Sequence, residues 1–163
     1  MYANKQPILA RREIGAKLPK QLNFQVSIPD DYETAIERVT EALKAEGFGV
    51  LTRIDVKKTL KEKLDADFRN YVILGACNPS LAYEALVNKP LIGILLPCNV
   101  TVEESNNGVL VSIVNPEAML DLWPLSENSV ILNIAAQARA WLERVADVLV
   151  SDKDYMSSVH AYS

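Results

Sequence analysis

The sequence has few of the residues from which enzyme active sites and metal centres are most often built. It contains one histidine, His160, and two cysteines, Cys77 and Cys98, in 163 residues. Neither thiol has a histidine nearby in sequence to act as a general base, and one chain holds too few ligands for a tetrahedral zinc site. Two cysteines are also too few for a disulfide-built scaffold. We therefore predict reduced thiols, no catalytic residue and no cofactor.

Long apolar runs and an excess of positive charge are also missing. The longest apolar stretch, Leu91–Leu96, is far shorter than the roughly 20 residues that span a bilayer as a helix. The net charge of -4 and the pI near 5.1 give no sign of the clustered basic surface that nucleic acid requires. The N-terminus lacks the apolar core of a secretory signal. We therefore predict a cytoplasmic protein with no nucleic-acid partner and no membrane segment.

What is present is the composition of one folded domain. The residues are 49% hydrophobic and 23% charged, as in ordinary globular proteins, and the length of 163 residues suits a single core. Residues 1–21 carry a net charge of +4, whereas the rest of the chain carries -8. The predicted organisation is a basic N-terminal extension at 1–21, a single α+β domain at 22–150 and a polar, aperiodic C-terminal tail at 151–163.

Hydrophobic periodicity and capping signals predict alternating strands and helices. Asp30 and Glu33 form a capping-box pattern before the first helix, and Gly47 follows its end. Asp55 is a favoured N-cap for the second helix. In order, the predicted elements are a strand at 22–28, a helix at 31–46, a strand at 49–54, a helix at 56–64, a strand at 71–76, a helix at 79–87, a strand at 91–96, extended chain at 100–103, a strand at 109–114 and a helix at 117–122.

The second half adds two strong signals. Asn106-Asn107-Gly108 predicts a β-hairpin turn. After it, apolar residues recur at helical spacing over nearly twenty positions, which predicts a long C-terminal helix that packs on something large. This stripe comprises Ile131, Ile134, Ala135, Ala138, Trp141, Leu142, Val145, Val148 and Leu149.

The candidate site residues lie where two apolar runs end. Tyr71–Pro79 ends in Cys77, Asn78 and Pro79, in which asparagine is a favoured N-cap and proline a favoured first helical residue. Leu91–Asn99 ends in Cys98 and Asn99. The Asn-Pro pair recurs at Asn115-Pro116 after a valine, so the turn itself does not require a thiol. Cys77, Asn78, Cys98 and Asn99 are therefore the candidate binding or thiol residues.

The sequence leaves three roles open for Cys77. Cysteine packs well as a small apolar residue, but a helix N-terminus lowers the pKa of a nearby thiol, which would suit redox or metal chemistry or a nucleophile. Joint action with Cys98 depends on topology. Parallel strands at 71–76 and 91–96 would bring the two cysteines to one sheet edge, and antiparallel strands would separate them by about a strand length, ~17–20 Å.

Several motifs resemble those of the Domain of Unknown Function 302 family. They are E-G-F-G-V-L-T-R-I-D-V at 46–56, T-L-K-E-K-L at 59–64, D-F-R-N-Y-V-I-L-G-A-C-N-P at 67–79 and I-G-I-L-L-P-C-N-V at 92–100. The resemblance covers about 22–150. It implies an α+β domain of the TATA-binding-protein-like class, in which a curved, mainly antiparallel sheet is backed by helices, and usually a homodimer. It implies no reaction.

Together these observations favour a homodimeric domain that binds a small molecule or a protein without known catalysis. The long C-terminal helix and the exposed sheet face are its candidate surfaces. The alternative is a thiol-dependent redox or Cu(I)-handling protein that uses Cys77 and Cys98, since two thiolates suit a soft ion.

Overall fold

The fold is a five-stranded, curved antiparallel sheet backed by helices. The structure, a computed structural model, describes residues 21–120 and 127–160, with side chains up to residue 151. The strands are β1 (Asn23–Ile28), β2 (Gly49–Asp55), β3 (Tyr71–Cys77), β4 (Cys98–Ser105) and β5 (Gly108–Val114). Their spatial order is β1-β5-β4-β3-β2, and every neighbouring pair is antiparallel.

The helices are α1 (Tyr32–Ala45), α2 (Val56–Leu64), α3 (Pro79–Asn88), α4 (Pro116–Leu120) and α5 (Ser129–His160), with a 3-10 helix at Pro90–Leu95. One face of the sheet is apolar and packs against α1 and α5, because alternate residues of each strand point to it. Val72, Leu74, Val100, Val102 and Val111 are buried there. No helix in the described part of the chain is long and apolar enough to cross a membrane.

The capping and turn signals are largely confirmed. Asp55 accepts a hydrogen bond from the backbone N–H of Lys58, and Gly47 has the positive φ that a helix stop requires. The prediction for α1 is off by one residue, since Asp31 rather than Asp30 caps the helix by accepting from Thr34 N–H. Asp30 instead forms an ion pair with Arg38.

The prediction of a strand at Leu91–Leu96 is wrong. Pro90–Leu95 forms a 3-10 helix in which Ile92 is buried while Leu91 and Ile94 are exposed. This period of three is the one a 3-10 helix gives. The sequence misleads because a short apolar run has the same pattern in a buried strand and in a buried helical turn. The extended chain predicted at 100–103 is correspondingly longer, since β4 begins at Cys98.

The long C-terminal helix is confirmed, and it continues through residue 160 into the predicted tail. Most of its apolar stripe is used within the protomer. Ile131, Leu142, Val145 and Leu149 are almost fully buried, and the helix packs against β1, α1, α3 and α4. Of the predicted stripe, Val148 is 48% exposed. Residues 1–20 of the predicted basic extension, residues 121–126 and residues 161–163 lie outside the described residues, so the end of the helix predicted at 117–122 is not tested.

Candidate functional site

The two cysteines lie at the same end of the sheet. This arrangement differs from both topologies considered above, because the segment before Cys98 is a 3-10 helix rather than a strand. The chain leaves β3 at Cys77, passes through α3 and the 3-10 helix, and returns as β4 beginning at Cys98. Because β3 and β4 are antiparallel, the end of one strand lies beside the start of the next. Cys98 is paired with Ala76, so it lies diagonally across from Cys77.

Strand alternation sends the two side chains to opposite faces of the sheet. Facing residues of an antiparallel pair share a face, so Cys98 points to the same side as Ala76, toward the helices. Cys98 packs against the buried core accordingly. Cys77 follows Ala76 and therefore points to the other face, at the end of β3. Proximity of the backbones thus does not bring the two sulfurs face to face.

Both cysteines are free thiols, and the pKa of each is raised, which disfavours the thiolate. Burial raises the pKa of the Cys77 thiol, which is opposite to the lowering that a helix N-terminus predicts. Cys98 as a residue keeps some contact with solvent, but its thiol is enclosed, and this burial together with the charge of Cys77 raises its pKa to about 11. At neutral pH the two groups are therefore protonated thiols rather than activated nucleophiles.

Asn78 has the predicted capping role and a second role that the sequence did not indicate. Its Oδ1 accepts from the backbone N–H of Leu81 at 3.1 Å, and its Nδ2 donates to the backbone oxygen of Gly47 at 3.1 Å. The side chain therefore starts α3 and ties it to the end of α1. Asn115 repeats this arrangement by accepting from Glu117 N–H and donating to Gln21 O at 2.8 Å.

Asn99 does not belong to the same site. It is exposed and paired with Gly75, which places it on the face of the sheet away from the helices. That face is tightly filled at Gly75. A Cβ there would lie 2.2 Å from Thr52 Oγ1 and 2.7 Å from Pro97 Cγ. The structure thus brings three of the four predicted site residues to one place and leaves Asn99 outside it.

A partly open apolar cavity of about 80 Å³ lies between this end of the sheet and the helices. Cys77, Asn78 and Cys98 border it together with side chains from α3, the 3-10 helix, α4 and α5. None of the bordering residues carries a charge. The other bordering residues are Phe48, Ala76, Leu81, Ala82, Ala85, Ile92, Leu95, Leu96, Pro116, Met119, Leu120, Ile131, Ile134, Ala135 and Ala138.

Most of these wall residues were predicted only as core, and no sequence pattern indicated that they surround a space. The cavity exists because small side chains face one another across helices that are far apart in sequence. Ala85 of α3 and Ala135 and Ala138 of α5 all border it. Helical periodicity shows that each is buried but not that they meet.

The described residues offer little for a metal ion. No three His, Cys, Asp or Glu side chains come together in that part of the chain. The soft candidates at this end of the sheet are Cys77, Cys98 and the thioether of Met119, and the opposite directions of the two cysteines do not suit a shared two-coordinate ion. The acidic residues near α2 are engaged by lysine, since Lys61 Nζ lies 2.8 Å from Asp65 and 3.1 Å from Asp67.

Known proteins resemble this chain in sequence and in structure. The family DUF302, described as a domain of unknown function, matches residues 24–149. The crystal structure of an uncharacterized conserved DUF302 protein from Bacillus stearothermophilus is similar, with 31% sequence identity and a TM-score of 0.69 over 77% of this chain and 96% of that one. No curated protein matches the chain. The family has no assigned biochemical function, and on these matches the chain belongs to the DUF302 family.

Proposed function

We propose that the protein binds a small, uncharged, apolar molecule in the cavity beside Cys98. The observation that carries this proposal is the cavity itself, which has apolar walls and brings together three residues that the sequence singled out. Ligand sites are commonly concave and apolar with a few polar groups. A charged ligand is disfavoured because no bordering side chain would compensate its charge.

The size of the cavity limits the ligand. Its volume of about 80 Å³ is roughly half that of an engineered 150 Å³ cavity that holds benzene in another protein. The ligand, or the part of it that enters, is therefore a short alkyl group or a small ring. Each buried methylene contributes about 0.8 kcal/mol, so affinities in the millimolar range are expected for such fragments.

Trp141 offers a direct measurement of occupancy. Its ring packs edge-on against Phe48 at 6.5 Å between centroids, and Phe48 borders the cavity. The other tryptophan, Trp123, is outside the described residues, so a Trp123→Phe variant leaves Trp141 as the single reporter. Titration with benzene, cyclopentane and short alcohols should change its fluorescence saturably. The absence of a saturable response to every one of these compounds would remove the proposal.

A matched pair of variants on α5 locates the site. Ala135→Leu adds three carbon atoms to a wall of the cavity and should abolish binding. Ala140→Leu makes the same change at a partly exposed residue that does not border the cavity, and it should leave binding unchanged. Thermal unfolding of both variants verifies that loss of binding in Ala135→Leu is not loss of the fold.

We also propose that two copies of the chain associate through α3 and the 3-10 helix. These elements carry an outer patch of exposed apolar side chains, of which Tyr83 is 74%, Val87 65% and Ile94 65% exposed, together with Leu86 and Leu91. Exposed apolar patches commonly mark interfaces. This surface supports the proposal better than α5, whose stripe is mostly buried in the protomer.

Charge also favours a second copy as the occupant of the outer patch. Residues 79–96 contain only two charged side chains, Glu84 and Lys89, and they have opposite signs. A two-fold interface is self-complementary, so Glu84 of one copy can face Lys89 of the other. Light scattering should give a dimer at micromolar concentration. Ile94→Glu should produce monomers, and Val148→Glu, at an exposed valine of α5, should not. A monomeric wild-type protein would contradict the proposal.

The cytoplasm is proposed as the compartment, because free thiols persist in reducing environments.

A further inference from the structure

Two polar groups bordering the cavity, the thiols of Cys77 and Cys98, make no hydrogen bond to a described residue. Three of the bordering residues carry a polar side-chain hydrogen that could be donated to a ligand, namely Cys77, Asn78 and Cys98. They differ in what else they contact and in which way they point. Those differences decide which of them is available to a molecule in the cavity.

The amide of Asn78 is engaged at both ends. Its oxygen accepts from Leu81 N–H and its NH₂ group donates to Gly47 O, each at 3.1 Å. The second amide hydrogen makes no bond to a described residue, but Asn78 is only half-buried, so solvent can satisfy this hydrogen when the cavity is empty. Asn78 therefore depends less on a ligand than a polar group that is enclosed and has no hydrogen bond.

The direction of its side chain makes Cys77 a poor hydrogen-bond donor to a ligand in the cavity. It lies at the end of β3 and, by strand alternation, points to the face of the sheet that is away from the helices. The cavity lies on the helix side of the sheet. Cys77 nevertheless borders the cavity, and it provides a second thiol in the same protein with which Cys98 can be compared.

Cys98 points into the helix-covered side and packs against the core, and its thiol makes no hydrogen bond to any described residue. Because its burial disfavours the thiolate, the group keeps its hydrogen at neutral pH. An S–H group is a weak donor. A wholly apolar ligand would leave this donor unpaired, whereas a ligand with an acceptor oxygen beside the thiol would pair it.

We infer that Cys98 determines specificity in this cavity, and that the ligand is an uncharged molecule whose apolar body carries one hydrogen-bond acceptor such as a ketone, ester or ether oxygen. The inference rests on the proposed function, since it requires that the cavity binds a ligand. It adds the chemical class of the ligand and the residue that selects it. The Cys98 S–H donates to the acceptor while the alanine and leucine walls contact the apolar body.

The test compares two ligands that differ in one group. Cyclopentanone and methylenecyclopentane have the same ring and the same number of heavy atoms, but only the ketone has an acceptor. Dissociation constants are measured by following backbone amide NMR signals in wild type, Cys98→Val and Cys98→Ser. Cys98→Val should raise the dissociation constant of cyclopentanone by about 3- to 10-fold more than it raises that of methylenecyclopentane. Cys98→Ser keeps a donor and should restore the preference for the ketone.

The outcomes distinguish binding of a ligand by the cavity from selection of that ligand by Cys98. If both ligands bind and Cys98→Val changes their dissociation constants by the same factor, Cys98 does not select the ligand, and the cavity remains a binding site. If neither ligand binds any of the three proteins, the proposed function fails and this inference fails with it. A purely structural role for Cys98 would change both affinities together and would not be reversed selectively by serine.

Alkylation gives a second measurement that does not depend on the folding of Cys98→Val. In a Cys77→Ser protein, saturating cyclopentanone should slow the reaction of Cys98 with iodoacetamide at least several-fold. In a Cys98→Ser protein, the same ligand should slow the reaction of Cys77 by a much smaller factor, because its side chain leaves the sheet on the other face. Equal protection of both cysteines, or protection of neither, would overturn the assignment of the donor to Cys98.

Discussion

Asn78 donates from its side-chain amide to the backbone oxygen of Gly47, 31 positions earlier in the chain. The same side chain caps α3 through Leu81 N–H. One residue thus joins the end of α1 to the start of α3, beside the strand that delivers Cys77. Asn115 makes the equivalent pair of bonds to Gln21 O and Glu117 N–H. The repeated Asn-Pro turn is therefore a device that starts a helix and fastens it to a distant backbone carbonyl.

Replacing Asn78 should separate these two roles. Asn78→Ala removes both the cap and the link and should lower the free energy of unfolding by about 1–2 kcal/mol. Asn78→Asp keeps the acceptor for Leu81 N–H but places a carboxylate oxygen against Gly47 O in place of the donor, so this variant should also be less stable than wild type. Urea unfolding measures both, with Asn106→Ala in the exposed hairpin turn as the control. A stability of Asn78→Asp equal to that of wild type would show that the link to Gly47 contributes nothing.

Gly75 should tolerate no side chain, whereas Gly49 should. A Cβ at Gly75 would lie 2.2 Å from Thr52 Oγ1 and 2.7 Å from the ring of Pro97, but a Cβ at Gly49 has nothing nearer than Cys77 O at 4.0 Å. We expect Gly75→Ala to cost about 1–3 kcal/mol of unfolding free energy and Gly49→Ala to change it by much less. Adding Thr52→Ala to Gly75→Ala should recover part of the loss. Equal effects of the two alanine substitutions would contradict this packing.

Cys98 should make the protein less stable as the pH rises above 9. Burial raises the pKa of its thiol from 9.0 to about 11, so the unfolded chain loses this proton first. The associated stabilisation is fully present below pH 9 and is lost as the pH passes from 9 to 11, and it amounts to about 3 kcal/mol. Over this range the unfolding free energy of wild type should therefore fall relative to that of Cys98→Val, which has no thiol at this position. A pH-independent difference would show that the thiol ionises equally in both states.

The two cysteines should not form a disulfide within one chain. Although Ala76 and Cys98 are paired, Cys77 and Cys98 point to opposite faces of the sheet, and a disulfide requires side chains that point toward each other. After treatment with diamide, the monomer should retain two thiols that iodoacetamide can label upon unfolding. A peptide containing Cys77 joined to Cys98 within the monomer would favour the redox alternative instead.

The two cysteines show which features of this fold follow from local sequence signals and which do not. Apolar strands that end in favourable capping residues predicted the end of β3 and the start of α3 within one residue, because these signals are local. Local patterns predict the wrong element at Leu91–Leu96, because a short apolar run has the same pattern in a buried strand and in a 3-10 helix. The pairing of Cys98 with Ala76 depends on Pro90–Leu95 being helical, because β4 then begins at Cys98.

The sequence by itself determined the local elements of this protein. These include the capped helices, the hairpin at Asn106-Asn107-Gly108, the long helix α5 and the Asn-Pro turn that follows Cys77, since each depends on residues within a few positions. Tertiary structure alone decided that Ala85, Ala135 and Cys98 border one cavity and that the two thiols face apart. These features depend on the antiparallel register of β3 and β4 and on how distant helices pack, which local patterns do not encode.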